Sequence, residues 1–312
     1  MIESRNDMIQ DIYPHKFHNE YRPDRKPQKE SRMLCFHENR VLAREEEGSG
    51  LAFPMFCELE QDDFLFDALA AEDGKHVTGS LTTCCKPQTA EPVYAFCVDE
   101  TEYFLDFSGH TFRAEGYEYY DIRNLRNTID NVNGMIMFTG VHLYQWYRQS
   151  RFCGCCGSKT MTDEKERAMR CPACGNKIYP RLQPAVIVGV LSGDRLLVTK
   201  YRESINYYAL VAGFSEIGET LEETVQREVM EEAGLKVKNI RYYKSQPWGI
   251  AQDLLAGFYC EVDGDDQIHM DEHELKLAEW KRREEIELQP NSYSLTNEMM
   301  KRFKDGYDPV SG

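Results

Sequence analysis

The sequence predicts a mixed α/β protein, of the α+β or α/β class, and three observations support this prediction. Its 312 residues correspond to about two domains of roughly 150 residues each, with room for a small third. Hydrophobic residues make up 41% of the chain and charged residues 29%, a composition typical of a folded globular protein. Strand-like and helix-like patterns alternate in the C-terminal half, and a cluster of cysteines precedes them.

Residues 1–148 are rich in aromatic side chains and predict a mixed α/β domain. Pro92–Val98 and Glu102–Phe107 predict strands, because β-prone apolar residues are bounded by turn residues. Apolar residues recur at helical spacing from Asn133 to Arg148 and predict a helix that leads into the cysteine cluster.

The part of the chain after the cysteines begins with a predicted hairpin. Ala185–Leu191 is a continuous apolar run, and the turn residues 192–195 separate it from a second strand at Leu196–Tyr201. A glycine-punctuated loop is predicted from Ala212 to Glu219. The later predicted elements are a helix at Leu221–Ala233, strands at Lys236–Tyr243 and Leu254–Val262, and a terminal helix at Leu295–Lys304.

Charge and cysteine usage restrict the function classes. The net charge of −16 argues against strong non-specific electrostatic binding to nucleic acid or anionic lipid. The longest apolar run, Pro184–Leu191, is far too short to cross a bilayer, and the N-terminus lacks the apolar segment of a secretory signal. We therefore expect no membrane association. Six scattered cysteines are expected to be buried or half-buried apolar residues in a reducing cytosol, which predicts a cytoplasmic protein. These are Cys35, Cys57, Cys84, Cys85, Cys97 and Cys260.

Two cysteine pairs of the form C-x2-C-G lie fourteen residues apart. Each pair can offer two thiolates to one ion from a tight turn, and four thiolates complete a tetrahedral Zn²⁺ shell. The four ligands are Cys153, Cys156, Cys171 and Cys174. Because four protein ligands leave no open position, we predict one structural Zn²⁺ per chain and not a catalytic one. Cys155 aligns with Ala173 of the second pair and is left out of the shell. A ribbon contact to nucleic acid is disfavoured, since residues 160–170 mix both charge signs.

The predicted helix Leu221–Ala233 carries a group of carboxylates. Thr220 and Glu223 form a capping-box pattern at its start, and Gly234 marks its end. Three glutamates fall within an arc of roughly 100° on one side of the helix. They are Glu228, Glu231 and Glu232. Clustered carboxylates repel each other unless a cation lies among them, and hard oxygen ligands suit Mg²⁺ or Mn²⁺. This favours metal-assisted attack of water on a phosphoanhydride, with a solvated acidic helix as the alternative.

The stretch from Gly213 to Leu235, GFSEIGETLEETVQREVMEEAGL, resembles the Nudix box at every defining position. The resemblance implies a Nudix hydrolase, an α/β/α sandwich that cleaves a nucleoside diphosphate linked to another group. It implies that the three glutamates are catalytic ligands of Mg²⁺ or Mn²⁺. It further implies that Glu219 and Arg227 orient the loop and helix without binding the metal themselves, and that the carbonyl of Ala212 is another metal ligand.

The wider arrangement resembles the NADH pyrophosphatase branch of this family. A variable N-terminal domain (1–148), a four-cysteine zinc ribbon (149–180) and a Nudix hydrolase domain (181–312) follow one another. Tyr179-Pro180-Arg181 precedes the box, and Ser245-Gln246-Pro247-Trp248 follows it. The branch splits the central pyrophosphate of NAD(H) into AMP and nicotinamide mononucleotide, and the resemblance implies a homodimer that acts on a dinucleotide.

Gln246 and Trp248 together offer an amide and a stacking face suited to a flat heterocycle. The resemblance implies substrate contacts by Tyr179, Gln246, Pro247, Trp248, Gly249, Ile250, Ala251, Gln252 and Asp253. Arg123 is a further candidate contact, with a dimer interface as one place for it. Glu274 matches the downstream acidic metal ligand of the family, and Glu231 and Glu274 are both candidates for the general base.

The chain departs from the branch immediately after Trp248. The branch continues Pro-Phe-Pro-x-Ser, whereas this chain continues with residues 249–253, Gly-Ile-Ala-Gln-Asp. We expect a more flexible loop that stacks a base less well. Three functions stay open. The motifs favour NAD(H) hydrolysis. A second possibility is another hydrolysis, either removal of an NAD cap from RNA 5′ ends or cleavage of another nucleoside-diphosphate derivative. The third is nucleotide sensing without turnover, which the intact glutamates disfavour.

Overall fold

A computed structural model of the protein describes residues 8–46, 50–61, 92–107, 111–125, 129–202, 207–290 and 293–307. The chain divides into two units, one of residues 12–181 and one of residues 182–312 together with 1–11. The division into three domains at residues 148 and 180 stays a prediction. Each unit is described by itself below.

The described residues of the unit 12–181 form a mixed sheet and two helices. Its strands are β1 (Phe17–His18), β2 (Arg32–His37), β3 (Arg40–Glu46), β4 (Gly50–Ala52), β5 (Glu60–Gln61), β6 (Val93–Val98), β7 (Thr101–Asp106), β8 (Phe112–Arg113) and β9 (Glu118–Asp121). Seven of them form a sheet in the order β1-β6-β7-β2-β3-β4, with β9 paired to β3, and β5 pairs with β8. The helices are α1 (Ile122–Leu125) and α2 (Asn131–Gln149). A 3₁₀ turn covers Phe56–Glu58.

The three elements predicted in this region are confirmed as β6, β7 and α2, within two residues at each end. Helix α2 begins earlier than predicted because Asp130 caps it, accepting the Asn133 N–H at 2.8 Å. The ribbon strands β10 (Met161–Thr162), β11 (Met169–Arg170) and β12 (Lys177–Ile178) form a separate three-stranded antiparallel sheet.

The second unit is built on one six-stranded mixed sheet. Its strands are β13 (Gln183–Ser192), β14 (Arg195–Tyr201), β15 (Val211–Phe214), β16 (Val237–Trp248), β17 (Asp253–Val262) and β18 (Leu275–Arg282). The order is β16-β17-β13-β14-β18, and β15 pairs with β13. Strands β13 and β17 are parallel, and the other pairs are antiparallel. Helices α3 (Leu221–Ala233) and α4 (Leu295–Lys304) and a 3₁₀ turn (Arg283–Glu285) complete it.

Strand β13 separates two cores because its side chains alternate between the faces of the sheet. Val186, Val188 and Val190 pack with residues of α3, whereas Ile187 and Leu191 pack with residues of α4. The helices supply Val225, Val229 and Ala233 on one side and Leu295, Met299, Met300 and Phe303 on the other. Both faces of the sheet are therefore covered, and the predicted α/β/α sandwich is confirmed.

Strand β15 corrects one prediction from the sequence. The predicted loop from Ala212 begins as a strand, since residues 211–214 pair antiparallel with residues 185–188 of β13. Pairing with a central strand supplies the backbone hydrogen bonds that the local sequence does not indicate. The N-terminal residues were also not expected here: Met8 belongs to the core on the α4 side, and the Ile9 N–H donates to the Tyr293 carbonyl at 3.2 Å.

Three of the scattered cysteines, Cys35, Cys97 and Cys260, are buried as predicted. The prediction is wrong for Cys57, which is exposed on the 3₁₀ turn; that turn buries none of its residues, so its cysteine gains no apolar environment. Cys84 and Cys85 lie outside the described residues. Across the described ranges, no helix combines the length and apolarity needed to cross a bilayer.

Candidate functional site

Four cysteine sulfurs converge at one end of the ribbon. The Sγ atoms of Cys153 and Cys174 lie 3.6 Å apart, and those of Cys156 and Cys171 lie 3.5 Å apart. All four lie within 4.8 Å of one another. Zn–S bonds of about 2.3 Å in a tetrahedron place neighbouring sulfurs about 3.8 Å apart, so this donor set fits Zn²⁺. Cys155 is exposed and stands outside the group.

The two cysteine pairs lie in matching turns. The Gly157 N–H donates to the Cys153 carbonyl at 2.8 Å, and the Gly175 N–H donates to the Cys171 carbonyl at 3.0 Å. Both glycines have positive φ, 74° and 78°, which a residue with a side chain rarely adopts. The Cys155 N–H donates to Cys153 Sγ at 3.4 Å, and this bond is the main cause that lowers the pKa of Cys153 to about 6. This bond thus favours the thiolate form of Cys153, the form that binds metal.

Gly213, in β15, leaves room for a carboxylate. A Cβ atom at this position would lie 1.9 Å from the carboxyl carbon of Glu228, so any larger residue would displace that side chain. The helix that carries Glu228 has the predicted capping box, in which the Glu223 N–H donates to Thr220 Oγ1 at 3.2 Å and the Thr220 N–H donates to Glu223 Oε2 at 2.8 Å. Gly234 ends the helix in the left-handed conformation, also as predicted.

Arg227 connects the loop before α3 to the helix itself. Its Nε and Nη2 donate to the two oxygens of Glu219 at 2.6 and 2.9 Å, and Nη2 also donates to the Phe214 carbonyl at 2.8 Å. Nη1 donates to Glu228 Oε1 at 2.7 Å and to Glu231 Oε2 at 3.0 Å. The bidentate bond from Arg227 is the main cause that lowers the pKa of Glu219 to about 2. One guanidinium thus holds loop and helix together.

We expect the Arg227–Glu219 pair to make the stability of the C-terminal unit depend on pH. The pKa of Glu219 is about 2 in the folded chain against an ordinary value of 4.5, so protonation favours the unfolded chain. The contribution of the pair is complete above about pH 4.5 and is lost as the pH falls toward 2. In denaturant unfolding, Glu219→Gln should lower stability near neutral pH, and its difference from wild type should shrink across that window.

Glu222→Gln, an exposed change in the first turn of the same helix, should show no such window. A difference between wild type and Glu219→Gln that stays constant from neutral pH down to the acid limit would contradict this prediction.

The three box glutamates differ in exposure. Glu232 is 2% exposed, whereas the side chains of Glu228 and Glu231 are 12% and 59% exposed. Burial is the main cause that raises the pKa of Glu232 to about 8, and the charges of Glu228 and Glu274 act in the same direction. Burial also raises the pKa of Glu228, with the charges of Glu231 and Glu274 adding to it. A divalent cation would stabilise the charged forms of these carboxylates, and carboxylate oxygens are the ligands that such an ion prefers. Among the described residues, the four ribbon cysteines are the group whose ligand atoms already lie within 4.8 Å of one another.

Tyr201, the last residue of β14, is a site residue that the sequence analysis did not identify. Its hydroxyl lies 2.9 and 3.0 Å from the two carboxylate oxygens of Glu232, and it accepts the Ala212 N–H at 3.0 Å. The hydroxyl therefore links β15 to the most buried glutamate. Tyr201 is 31 positions away from Glu232 and outside the box, so no local spacing marks it.

Tyr201→Phe should weaken divalent-cation binding or turnover by about 10–100-fold, the usual effect of removing a group that orients a metal ligand. Titration of the metal dependence of turnover measures this directly. Tyr243→Phe is the matched control, because Tyr243 donates to the buried Glu298 at 2.8 Å on the α4 side of the sheet. Equal effects of the two changes would assign Tyr201 to folding only.

Ala212 and Glu274, the two further predicted metal ligands, differ in solvent exposure. Ala212 lies in β15 opposite Ile187 and is half-buried. Glu274 is exposed and immediately precedes β18. Its charge is among the causes that raise the pKa of both Glu228 and Glu232. Metal binding by these residues stays a prediction.

Gln246 is fully buried and its amide is engaged with protein atoms. Its Nε2 donates to the Tyr293 carbonyl at 2.7 Å, and its Oε1 accepts the Leu295 N–H at 2.7 Å, at the start of α4. A contact to Gln10 Oε1 at 3.3 Å adds the N-terminal segment. These bonds indicate a structural role, and a substrate contact by Gln246 stays a prediction.

The residues after Gln246 form the end of a hairpin. Trp248 is half-buried, stacks on Tyr293 at 6.2 Å between ring centroids, and pairs with Asp253 across the strands. Residues 249–252 form the turn, and Gln183 ties it to β13, because its side chain donates to the Ala251 carbonyl at 3.0 Å. The turn is thus short and held by a hydrogen bond to β13. The greater flexibility expected from its sequence stays a prediction. Burial raises the pKa of Asp253 to about 6. Pro247 and Ala251 are exposed, Gly249 and Gln252 are buried, and Ile250 is half-buried.

Tyr179 and Arg123 belong to the unit of residues 12–181. Tyr179 is exposed after the last ribbon strand, and a hydrogen bond with Glu166 adds to the burial that raises its pKa. Arg123 is exposed in α1, where its N–H donates to Asp121 Oδ1 at 2.7 Å. Their predicted substrate contacts stay predictions.

Known proteins resemble this chain in both the sheet domain and the ribbon. The family model described as NUDIX domain matches residues 181–303, and that described as NADH pyrophosphatase zinc ribbon domain matches residues 148–179. The NAD-capped RNA hydrolase NudC of Salmonella schwarzengrund is 40% identical over 174 residues, which cover 55% of this chain and 67% of that protein. The chain belongs to the Nudix hydrolase family.

Two further known proteins are similar to this Nudix hydrolase. The NAD-capped RNA hydrolase NudC of Klebsiella pneumoniae is 39% identical over 175 residues, covering 55% of this chain and 67% of that protein. A crystal structure of a NUDIX hydrolase from Nitrosomonas europaea aligns with a TM-score of 0.44 and 21% identity, over 50% of this chain and 92% of that one. The predicted family and enzyme class are confirmed, and the ribbon match together with the four converging sulfurs establishes a structural Zn²⁺ site.

Proposed function

We propose that this Nudix hydrolase splits the central pyrophosphate of NAD(H) into AMP and nicotinamide mononucleotide. The observation that carries the proposal is the intact set of box glutamates, two of them largely buried and one held by Tyr201. Support also comes from the ribbon, which matches the zinc ribbon of NADH pyrophosphatase, and from relatives named NAD-capped RNA hydrolase. Water attacks one phosphorus, and the bridging oxygen leaves with the other phosphate.

Mg²⁺ or Mn²⁺ is the proposed catalytic cation. The residues that would hold it are Glu228, Glu231, Glu232, Glu274 and the carbonyl of Ala212. Such a cation neutralises the charge that develops on the phosphates during the attack. Tyr201 holds the Glu232 carboxylate in place from one side, and Arg227 holds Glu228 and Glu231 from the other.

The proposed general base is Glu231 or Glu274, since both are exposed and can reach a water molecule. The substrate end of the site is proposed to include the exposed residues of the β16–β17 hairpin. Trp248 offers its half-buried ring as a stacking face.

Removal of an NAD cap from RNA 5′ ends is the second candidate, because the relatives carry that name. The same phosphoanhydride is cut in both reactions, so the glutamates do not separate them. The net charge of −16 argues against a general attraction for RNA.

The test is a product assay with Mg²⁺ or Mn²⁺ on NADH, NAD⁺, ADP-ribose, a diadenosine polyphosphate and NAD-capped RNA. Release of AMP from NADH or NAD⁺ at the highest kcat/KM supports the first candidate, and preferential cleavage of the capped RNA supports the second. Binding of NADH without product formation in either metal would overturn both and indicate a sensor. Glu231→Gln and Glu274→Gln, compared by their pH–rate profiles, identify the general base.

We also propose that the protein acts as a homodimer in the cytoplasm. The nine cysteines in the described part of the chain are all free, which suits a reducing compartment. Sedimentation of the full chain tests the dimer, and localisation of a tagged chain tests the compartment.

A further inference from the structure

We propose a second nucleotide-binding site, in the unit of residues 12–181, that takes an aromatic base carrying a phosphate. The site is a cavity of about 350 Å³ lined by residues of β6, α2 and the ribbon, within the range of roughly 300–1,000 Å³ typical of small-molecule sites. The proposal does not rest on the proposed hydrolysis, which concerns the other unit.

The charge of this cavity is opposite to that of the protein. Its lining includes Arg25, Lys26 and Lys159, and no acidic residue among the described residues lines it. The chain as a whole has 53 acidic and 37 basic residues. Arg25 lies 3.6 Å from Glu102, but half of its side chain is exposed, and Lys26 and Lys159 are exposed as well. A local cluster of cations in an acidic protein favours an anionic ligand.

Two further arginines reinforce the positive field. The guanidinium of Arg22 lies 6.0 Å from the ring centroid of Tyr94, and that of Arg167 lies 5.5 Å from the ring centroid of Tyr21. Both tyrosine rings line the cavity. These two positive charges thus face rings of the cavity lining, where the carboxylates of Glu102, Glu20 and Asp163 also act on the same tyrosines.

Aromatic rings supply the other half of the site. Phe107 and Tyr147 line the cavity as a parallel pair, with 5.0 Å between centroids and 9° between planes. Tyr94 is 2% exposed, and its hydroxyl has no hydrogen-bond partner in the described ranges. A buried hydroxyl of this kind is costly unless a ligand satisfies it.

Rings together with cations select a nucleotide. An acyl chain would use the rings and make no use of the cations, whereas inorganic phosphate would use the cations and make no use of the rings. Bases stack on aromatic side chains while Lys and Arg bind the phosphate. The source of the nucleotide is either a free mononucleotide or one nucleotide of an RNA chain.

Calorimetry on the full-length, zinc-loaded protein without added Mg²⁺ or Mn²⁺ tests the ligand class. The ligands are AMP, ribose 5-phosphate, inorganic phosphate and a 5′-phosphorylated oligoadenylate. We expect AMP to bind about tenfold or more tightly than ribose 5-phosphate, because only AMP can stack. Photolabelling with an azido-AMP, followed by peptide mapping, should place label within residues 92–107 or 159–169. Equal affinity of AMP and ribose 5-phosphate, or label confined to residues 182–307, would overturn the proposal.

The double change Arg25→Ala and Lys159→Ala tests the cations. It should weaken AMP binding at the labelled site about tenfold or more, since two charge-assisted contacts are lost. Lys165→Ala, at an exposed ribbon residue outside the cavity, should bind AMP as wild type does. The zinc content and the unfolding midpoint show whether each variant is folded. The comparison of AMP with ribose 5-phosphate uses the wild-type protein, so it tests the proposal even if a variant does not fold.

The arms separate the two sources of the nucleotide. If AMP binds and the double change weakens its binding, the ligand is a free nucleotide. If AMP does not bind, but oligoadenylate does and the double change weakens its binding, the ligand is RNA. If the double change weakens the binding of neither AMP nor oligoadenylate, the proposed site does not exist. Nucleotide binding here without NADH turnover would refute the proposed hydrolysis alone.

Discussion

Glu232→Gln should reduce kcat for NADH hydrolysis by about a thousandfold or more while the fold persists. The change keeps the size of the side chain and allows a hydrogen bond to Tyr201. It removes the negative charge with which the buried Glu232, a proposed metal ligand, would bind a cation. A metal supplies several kcal/mol of transition-state stabilisation, and each ~1.4 kcal/mol corresponds to a factor of ten in rate. Steady-state kinetics in Mg²⁺ and in Mn²⁺, with circular dichroism for the fold, measure the effect.

The matched control is Glu222→Gln, the same chemical change at an exposed position in the first turn of the same helix. It should leave kcat within about twofold of wild type. Near-normal turnover by Glu232→Gln in saturating metal would exclude this glutamate as a ligand. Calorimetry with each cation then shows whether any cation binds at the box.

Cys171→Ser should abolish stoichiometric zinc binding and destabilise the unit of residues 12–181. Cys171 is fully buried, and its sulfur is one of the four in the cluster. Structural Zn²⁺ contributes roughly 10–16 kcal/mol in zinc-finger peptides, so loss of one ligand in four should lower the free energy of unfolding by about 3 kcal/mol or more. Metal analysis and denaturant unfolding measure the two effects.

Cys155→Ser is the internal control for this prediction. Cys155 is exposed and outside the cluster, although it lies between two ligands in the sequence. This variant should retain one zinc per chain and near-normal stability. A stable Cys171→Ser variant with unchanged zinc content would refute the ribbon site.

The zinc cysteines and the box glutamates could be located from the sequence because their spacing is local. The cysteine pairs each lie in a single turn, and the box glutamates lie on a single helix. The structure confirms that helix at Leu221–Ala233 and the terminal helix at Leu295–Lys304, with the predicted ends. Capping boxes, left-handed glycines and helical periodicity act over three or four residues, so the sequence alone contains them.

The rest of the site depends on contacts between distant parts of the chain. Strand β15 exists because β13 pairs with it, and the Gly213 position is set by a carboxylate on a later helix. The number of strands and the pairing of β13 with β17 are likewise products of tertiary folding. Residues 8–11 join the second unit across more than 230 positions of sequence.

From its sequence alone, this protein is determined to be a zinc-ribbon Nudix hydrolase with all three glutamates of the Nudix box, since each motif is a local pattern. Only the tertiary structure decided that Tyr201 holds Glu232, that the Gln246 amide is buried against α4, and that cations and rings gather in a cavity of the N-terminal unit. Burial and long-range hydrogen bonding arise from the packing of separate elements, and neighbouring residues in a sequence carry no record of them.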